Sequence, residues 1–165
     1  AIRGDGFFQI TLPDGTTGYT RDGGFQLDAG GQIVTNAGYV LQPGITVPAG
    51  SSSLKIDPQG VVSVVPAGQT TPQNLGTIQL ASFINPAGLE SRGGNLYAET
   101  AASGTPNAAA PGSSGHGTLM HGYVEGSNVN VVEELVTMIA TQRAYELNSK
   151  AIQTSDQMLQ KLGQL

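Results

Sequence analysis

Two histidines, His116 and His121, are the residues of this sequence whose type is best suited to metal binding or proton transfer. They lie five residues apart in a glycine-containing stretch, and no third ligand is evident nearby. Metal-binding histidines on one helix face are spaced by about four residues, so this pair does not match that pattern. The chain has no cysteine, which excludes thiolate ligands and thiolate nucleophiles. We therefore interpret both histidines as surface residues and predict no metal or other cofactor.

The carboxylates and glycine loops also point away from catalysis. Asp14, Asp28 and Asp57 stand in turn-like sequences, where aspartate is favoured because its side chain bonds to the local backbone. The Gly-x-Gly at Gly4 and Gly6 lacks the third glycine and the following helix of a phosphate-binding loop. No Gly-x-Ser-x-Gly nucleophile elbow is present. These patterns predict a protein that is not an enzyme.

Composition and charge exclude further classes. The 165 residues include only 7 Lys and Arg against 12 Asp and Glu, for a net charge of −5. A nucleic-acid-binding surface requires clustered basic residues, so no nucleic-acid partner is expected. No run approaches the roughly 20 apolar residues that a transmembrane helix needs, so no membrane insertion is expected.

The distribution of glycine and proline divides the chain near Asn128. Of the 24 glycines, 23 precede this residue, as do all 9 prolines. Because both residue types mark turns and interrupt helices, the first part is expected to be β-rich and the last part helical. The sequence thus predicts a mainly β domain of many short strands and turns at 1–99. An extended Gly/Ala/Pro/Ser connector is expected at 100–127, and one long C-terminal helix at 128–165.

Short apolar runs separated by turn sequences indicate the β strands. Residues 7–11 and 17–20 flank Pro-Asp-Gly, and residues 54–56 and 61–65 flank Asp-Pro-Gln-Gly, so two hairpins are expected there. Residues 75–83 form the longest candidate, which we expect to be a single strand.

The helix is expected to begin at Asn130. Asn130 as the N-cap residue with Glu133 three positions later matches a capping box, with asparagine in place of serine or threonine. Apolar residues at seven-residue spacing then predict a coiled-coil-like seam that packs on partner helices. The alternative is a helix that folds back on its own β domain. The predicted packing residues are Val131, Leu135, Met138, Tyr145, Ile152, Leu159 and Leu162.

Several motifs resemble one family. Residues 1–8 (AIRGDGFF) and 19–25 (YTRDGGF) are similar to the flagellar basal-body rod and hook family, as are residues 28–34 (DAGGQIV). Residues 125–136 (EGSNVNVVEELV) and 142–151 (QRAYELNSKA) resemble its C-terminal signature. Within this family, the chain is most similar to distal-rod subunits. The family also carries an N-terminal helix, which this sequence lacks, so we interpret the sequence as a fragment.

The resemblance implies a structural subunit of the bacterial flagellar distal rod. Such subunits self-assemble into a helical homopolymer, a tubular drive shaft that transmits torque and passes exported proteins. The β domain would lie outside, and the terminal helix would line the inner core. Implied partners are the proximal rod, the hook and the surrounding P and L rings. The implied location is the basal body in the periplasmic space, reached through the flagellar channel without a cleaved signal peptide. Alternatives are a hook or proximal-rod subunit, or a binding module of the phage-tail or adhesin type.

Overall fold

The chain forms two compact units. The computed structural model describes residues 1–162, and its first unit spans Ala1–Glu125. The second unit, Gly126–Leu165, contains the helix α1 at Val131–Leu162. The prediction of a mainly β fold with one long C-terminal helix is confirmed.

Fourteen short strands and one 3-10 turn make up the first unit. The turn lies at Pro86–Gly88. The strands are β1 (Ile2–Arg3), β2 (Phe7–Thr11), β3 (Thr17–Thr20), β4 (Phe25–Leu27), β5 (Ile33–Thr35), β6 (Val40–Leu41), β7 (Ser53–Ile56), β8 (Val61–Val65), β9 (Gln73–Thr77), β10 (Leu80–Ser82), β11 (Glu90–Gly93), β12 (Leu96–Ala98), β13 (Asn107–Ala109) and β14 (Thr118–Leu119).

The strands form three antiparallel sheets. The largest has nine strands in the order β11-β12-β3-β2-β6-β5-β4, with β10 pairing to both β2 and β13. A second sheet has the order β7-β8-β9, and β1 pairs with β14 in a third. Both expected hairpins are present, as β2-β3 and β7-β8. The expected single strand at 75–83 is wrong, because β9 and β10 belong to different sheets.

The main core lies between the large sheet and the three-stranded sheet. Alternate residues of β2 and β8 point inward, so that Phe8, Ile10 and Val62 are buried together with Leu41 and Leu80. Burial of each such side chain contributes about 1.5–3 kcal/mol. This apolar contact joins the two sheets into one unit.

A second cluster is built from aromatic residues. Tyr19 and Phe83 meet edge to face, with ring centroids 4.8 Å apart, and both are buried. The Tyr19 hydroxyl donates a hydrogen bond of 3.5 Å to Glu99. Burial, and then the charge of Glu99, raise the pKa of Tyr19 to about 12. The phenol therefore remains a neutral donor at physiological pH.

Residues 100–127, expected to form a connector, contribute to the sheets of the first unit. Within them, β13 pairs with β10 and β14 pairs with β1. Ser103 is fully buried, and the Ser103 hydroxyl donates a hydrogen bond of 2.9 Å to the Thr100 carbonyl. Residues 100–117 contain no large apolar residue, so β13 is held by backbone pairing, whereas Leu119 of β14 is buried in the main core.

We predict that position 31 requires glycine because the backbone of Val47 lies too close for a side chain. Gly31 and Gly38 both have positive φ, at 77° and 85°. A Cβ on Gly31 would lie 2.3 Å from the Val47 carbonyl oxygen, whereas nothing lies within 4 Å at Gly38. Gly38→Ala should cost about 1–2 kcal/mol for the left-handed conformation. Gly31→Ala should cost about 1–3 kcal/mol more for the overlap.

Chemical denaturation of the two variants measures this difference directly. Equal losses of unfolding free energy would show that the overlap at Gly31 is relieved without cost.

Candidate assembly surfaces

The helix start is capped by the residue expected there. The Asn130 side-chain oxygen accepts a 3.1 Å hydrogen bond from the Val132 backbone N–H. Glu133 and Glu134 occupy the first turn and Lys161 the last turn, where their charges complement the helix dipole. Among the hydrogen bonds of residues 1–162, none joins Glu133 to the Asn130 N–H, so the reciprocal half of a capping box is not formed.

The predicted seam consists of exposed apolar side chains. Its residues range from 50% exposed at Leu135 to 77% at Tyr145. The others are Val131, Met138, Ile152 and Leu159. The Leu162 side chain lies outside the described residues. A seven-residue spacing drifts by about 20° per repeat on a straight helix, so partners would follow this seam by supercoiling.

The apolar surface is widest over the first three turns of the helix. Val132, Val136 and Ile139 are also exposed there, and they broaden the seam to about 160° of the helix circumference. These three residues lie outside the predicted seam because their apolar character does not recur at seven-residue spacing along the rest of the helix. A face this wide is typical of a helix in contact with more than one neighbour.

In the first unit, one arginine links distant parts of the chain. The Arg21 guanidinium donates hydrogen bonds to the carbonyls of Gly4 and Gly6 at 3.0–3.2 Å, and to that of Ile2 at 3.5 Å. Its Nε donates to the Glu125 carboxylate at 2.9 Å. The side chains of Arg21 and Glu125 are 30% and 42% exposed. We call this group the Arg21 clamp.

The Arg21 clamp fixes both ends of the first unit. It holds residues 2–6 against the end of β3, and it holds Glu125, the last residue of the unit, to the same point. The charge of the guanidinium makes such arginine contacts stronger than neutral hydrogen bonds. The sequence motif that contains Arg21 does not indicate its partner, because Glu125 lies 104 residues away.

The histidines occupy different environments. His121 is exposed, as expected, but His116 is buried at 5% exposure, so its interpretation as a surface residue is wrong. Its Nδ1 lies 3.0 Å from the Ser113 carbonyl and its Nε2 lies 2.9 Å from the Asn107 carbonyl. His116 therefore links β13 to the loop before β14. No group of three or more potential metal ligands occurs within residues 1–162.

Comparisons with known proteins match both ends of the chain. Residues 1–64 match the flagellar hook protein FlgE/F/G D1 domain, and residues 120–165 match the flagellar basal body rod FlgEFG protein C-terminal region. The chain is 61% identical to the flagellar basal-body rod protein FlgG of Buchnera aphidicola from Acyrthosiphon pisum, over all of this chain and 64% of that protein. It is 52% identical to FlgG of Caulobacter vibrioides, over all of this chain and 63% of that protein.

The chain belongs to the flagellar rod and hook family. It spans about 64% of the length of its FlgG relatives. The flagellar hook protein FlgE of Borreliella burgdorferi is 40% identical over 67% of this chain and 25% of its own length. Within residues 1–162 no helix combines the length and apolar character needed to cross a membrane.

Removal of the Arg21 clamp should destabilise this family member. Arg21→Ala leaves three carbonyls and the Glu125 carboxylate without their donor, so unfolding free energy should fall by about 1.5–3 kcal/mol. The matched control is Arg92→Ala, which breaks an exposed 3.3 Å pair with Glu90. That loss should be at most about 0.5 kcal/mol. Denaturant titration compares the two, and equal midpoints would refute the role given to the clamp.

Replacement of His116 should weaken the attachment of β13. His116→Ala removes a buried ring together with its contacts to the Asn107 and Ser113 carbonyls, which should cost about 1–3 kcal/mol. His121→Ala serves as the control because His121 is exposed, and it should leave the melting temperature unchanged. Thermal unfolding followed by circular dichroism measures both variants. The prediction fails if the two variants melt together.

Proposed function

We propose that this chain is part of a structural subunit of the bacterial flagellar distal rod, which self-assembles into a tubular drive shaft. In this proposal the first unit forms the outer part of the wall and α1 lines the inner core. The shaft transmits torque and passes exported proteins, and the subunit performs no catalysis. The observation that carries the proposal is the exposed apolar seam of α1, which requires partner helices.

The similarity favours the distal rod over the hook. FlgG relatives align with the whole chain, whereas the hook protein aligns with two-thirds of it and at lower identity. We infer that the subunit contacts other copies of itself, the proximal rod and the hook, and that the P and L rings surround it in the periplasm. Export through the flagellar channel is the route that fits this location.

Apolar side chains along the helix support self-assembly. The seam residues between Val131 and Leu159 are all uncharged, and Asp156 is a charged residue on the same face, four positions after Ile152 and three before Leu159. The large apolar side chains are each worth about 1.5–3 kcal/mol when buried, so several copies of the seam supply the association energy. A coiled-coil arrangement in which seams meet would bury all of these residues together.

Two added charges on the seam should abolish polymerisation. Ile152→Asp with Leu159→Asp places carboxylates where apolar contacts are expected, while the first unit should still unfold cooperatively. The matched control, Thr154→Asp with Gln157→Asp, adds the same charge to the opposite face of α1. Sedimentation and electron microscopy of the two variants measure assembly. Normal polymers from the seam variant would contradict the proposed function.

A further inference from the structure

Ile84 is an exposed apolar residue that the folding of the first unit does not explain. Its side chain is 92% exposed, although it directly follows β10 and the buried Phe83. The other exposed large apolar residues of this unit range from 38% at Met120 to 71% at Val124. An isolated exposed apolar residue needs no special explanation. Ile84 needs an explanation because the loop that carries it is held rigidly.

Two loops packed backbone to backbone hold Ile84 in place. The backbone N–H of Asn85 donates to the Ser103 carbonyl at 3.3 Å, and its side chain donates to the Ala102 carbonyl at 3.1 Å. The Thr100 hydroxyl donates to the Gly88 carbonyl at 2.6 Å. A Cβ on Gly88 would lie 2.7 Å from the Ala102 carbonyl carbon. Because this loop is already ordered, contact through Ile84 would lose little conformational entropy.

The chain segments that build this surface carry no charge. Residues 61–89 and 100–124 contain no Asp, Glu, Lys or Arg. Interface cores are depleted in charged residues because desolvating a charge is costly. Two copies of a chain with a net charge of −5 repel each other, so a neutral surface is where like copies can approach.

The first unit also has an apolar groove of a suitable size. It lies between β4 of the large sheet and β7 of the three-stranded sheet, and its volume is about 160 Å³. Phe25, Leu27, Leu54 and Ile56 are among its lining residues, none of which is charged. A dry engineered cavity of about 150 Å³ binds benzene, which has six carbons. The isoleucine side chain has four, so the groove has room for it.

We propose that Ile84 of one copy inserts into the apolar groove of a second copy. This inference rests on the proposed function, since it assigns a contact between the first units of neighbouring subunits. Ile84 is not among the residues that line the groove, so the contact joins two different surfaces of the chain and is heterologous. Such contacts extend without closing when the rotation between copies does not close a ring, as in a helical tube.

Disulfide trapping tests the contact, because the chain has no native cysteine. Ile84→Cys and Leu27→Cys are prepared separately, mixed and oxidised. A mixed dimer is expected from Ile84→Cys with Leu27→Cys. The control is Gln69→Cys, an exposed loop position, which should give no dimer with Leu27→Cys. Absence of the mixed dimer overturns the inference, as does a product formed only between two Ile84→Cys chains. A groove that receives a different protein would also leave the mixed dimer unformed.

Polymer formation separates this contact from the helix seam. Ile84→Asp should raise the concentration required for assembly roughly tenfold or more, while Gln69→Asp should leave it unchanged. If Ile84→Asp assembles like the control, the contact is refuted and the helix-based function stands. If the mixed disulfide forms although the double seam variant polymerises normally, the seam hypothesis fails and the Ile84 contact stands.

Discussion

The exposure of α1 is the constraint on which this account depends. Its 32 residues form one uninterrupted helix, and every side chain described in it is exposed. Isolated helices gain little stability in water without tertiary packing of an apolar face. The N-cap at Asn130 and the complementary terminal charges add only about 1 kcal/mol each at most. The proposed function assigns this missing burial to helices of neighbouring subunits.

The first unit, in contrast, contains its own sources of stability. The main core joins the large and the three-stranded sheets, and the aromatic cluster packs on the large sheet. The Arg21 clamp holds segments far apart in sequence, and His116 holds β13 to the loop before β14. Arg21 and His116 both contact backbone carbonyls next to short strands, β1 and β13, which form few pairing hydrogen bonds of their own. In the proposed function, this unit would fold by itself and the helix would be stabilised by its partners during assembly. The Ile84 surface would then add a contact between units that are already rigid.

Sequence patterns predicted the elements better than their arrangement. The turn at Asp57–Gly60 and its flanking strands are visible because proline and glycine favour a turn and the valines of β8 favour a strand. The division of residues 75–83 was not visible. Ile78 is buried between β9 and β10, and its apolar character fits a continuous strand equally well. Only the pairing partners show that the chain passes from one sheet to another there.

The contacts of His116 and Glu125 could not be predicted from the sequence, for the same physical reason. His116 looked exposed because its neighbours are small and polar, yet its two partners are backbone carbonyls, which no residue type reveals. Glu125 lies in a recognisable motif, but its contact with Arg21 forms only when the fold brings residues 104 positions apart together. The seven-residue spacing in the helix is visible because it is a local property of the sequence, and its role as a packing surface stays a prediction. Contacts with the backbone and between remote strands depend on the fold and leave no such local pattern.

Hydrogen exchange of the α1 amides, measured in dilute monomer and in assembled polymer, tests the central claim most directly. In the monomer, these amides should exchange almost as fast as in an unfolded chain, while amides of β2 and β10 in the same sample should exchange slowly. In the polymer, the α1 amides should become protected. Strong protection of α1 in the monomer, or its absence in the polymer, would contradict the claim that the helix is stabilised by neighbouring subunits.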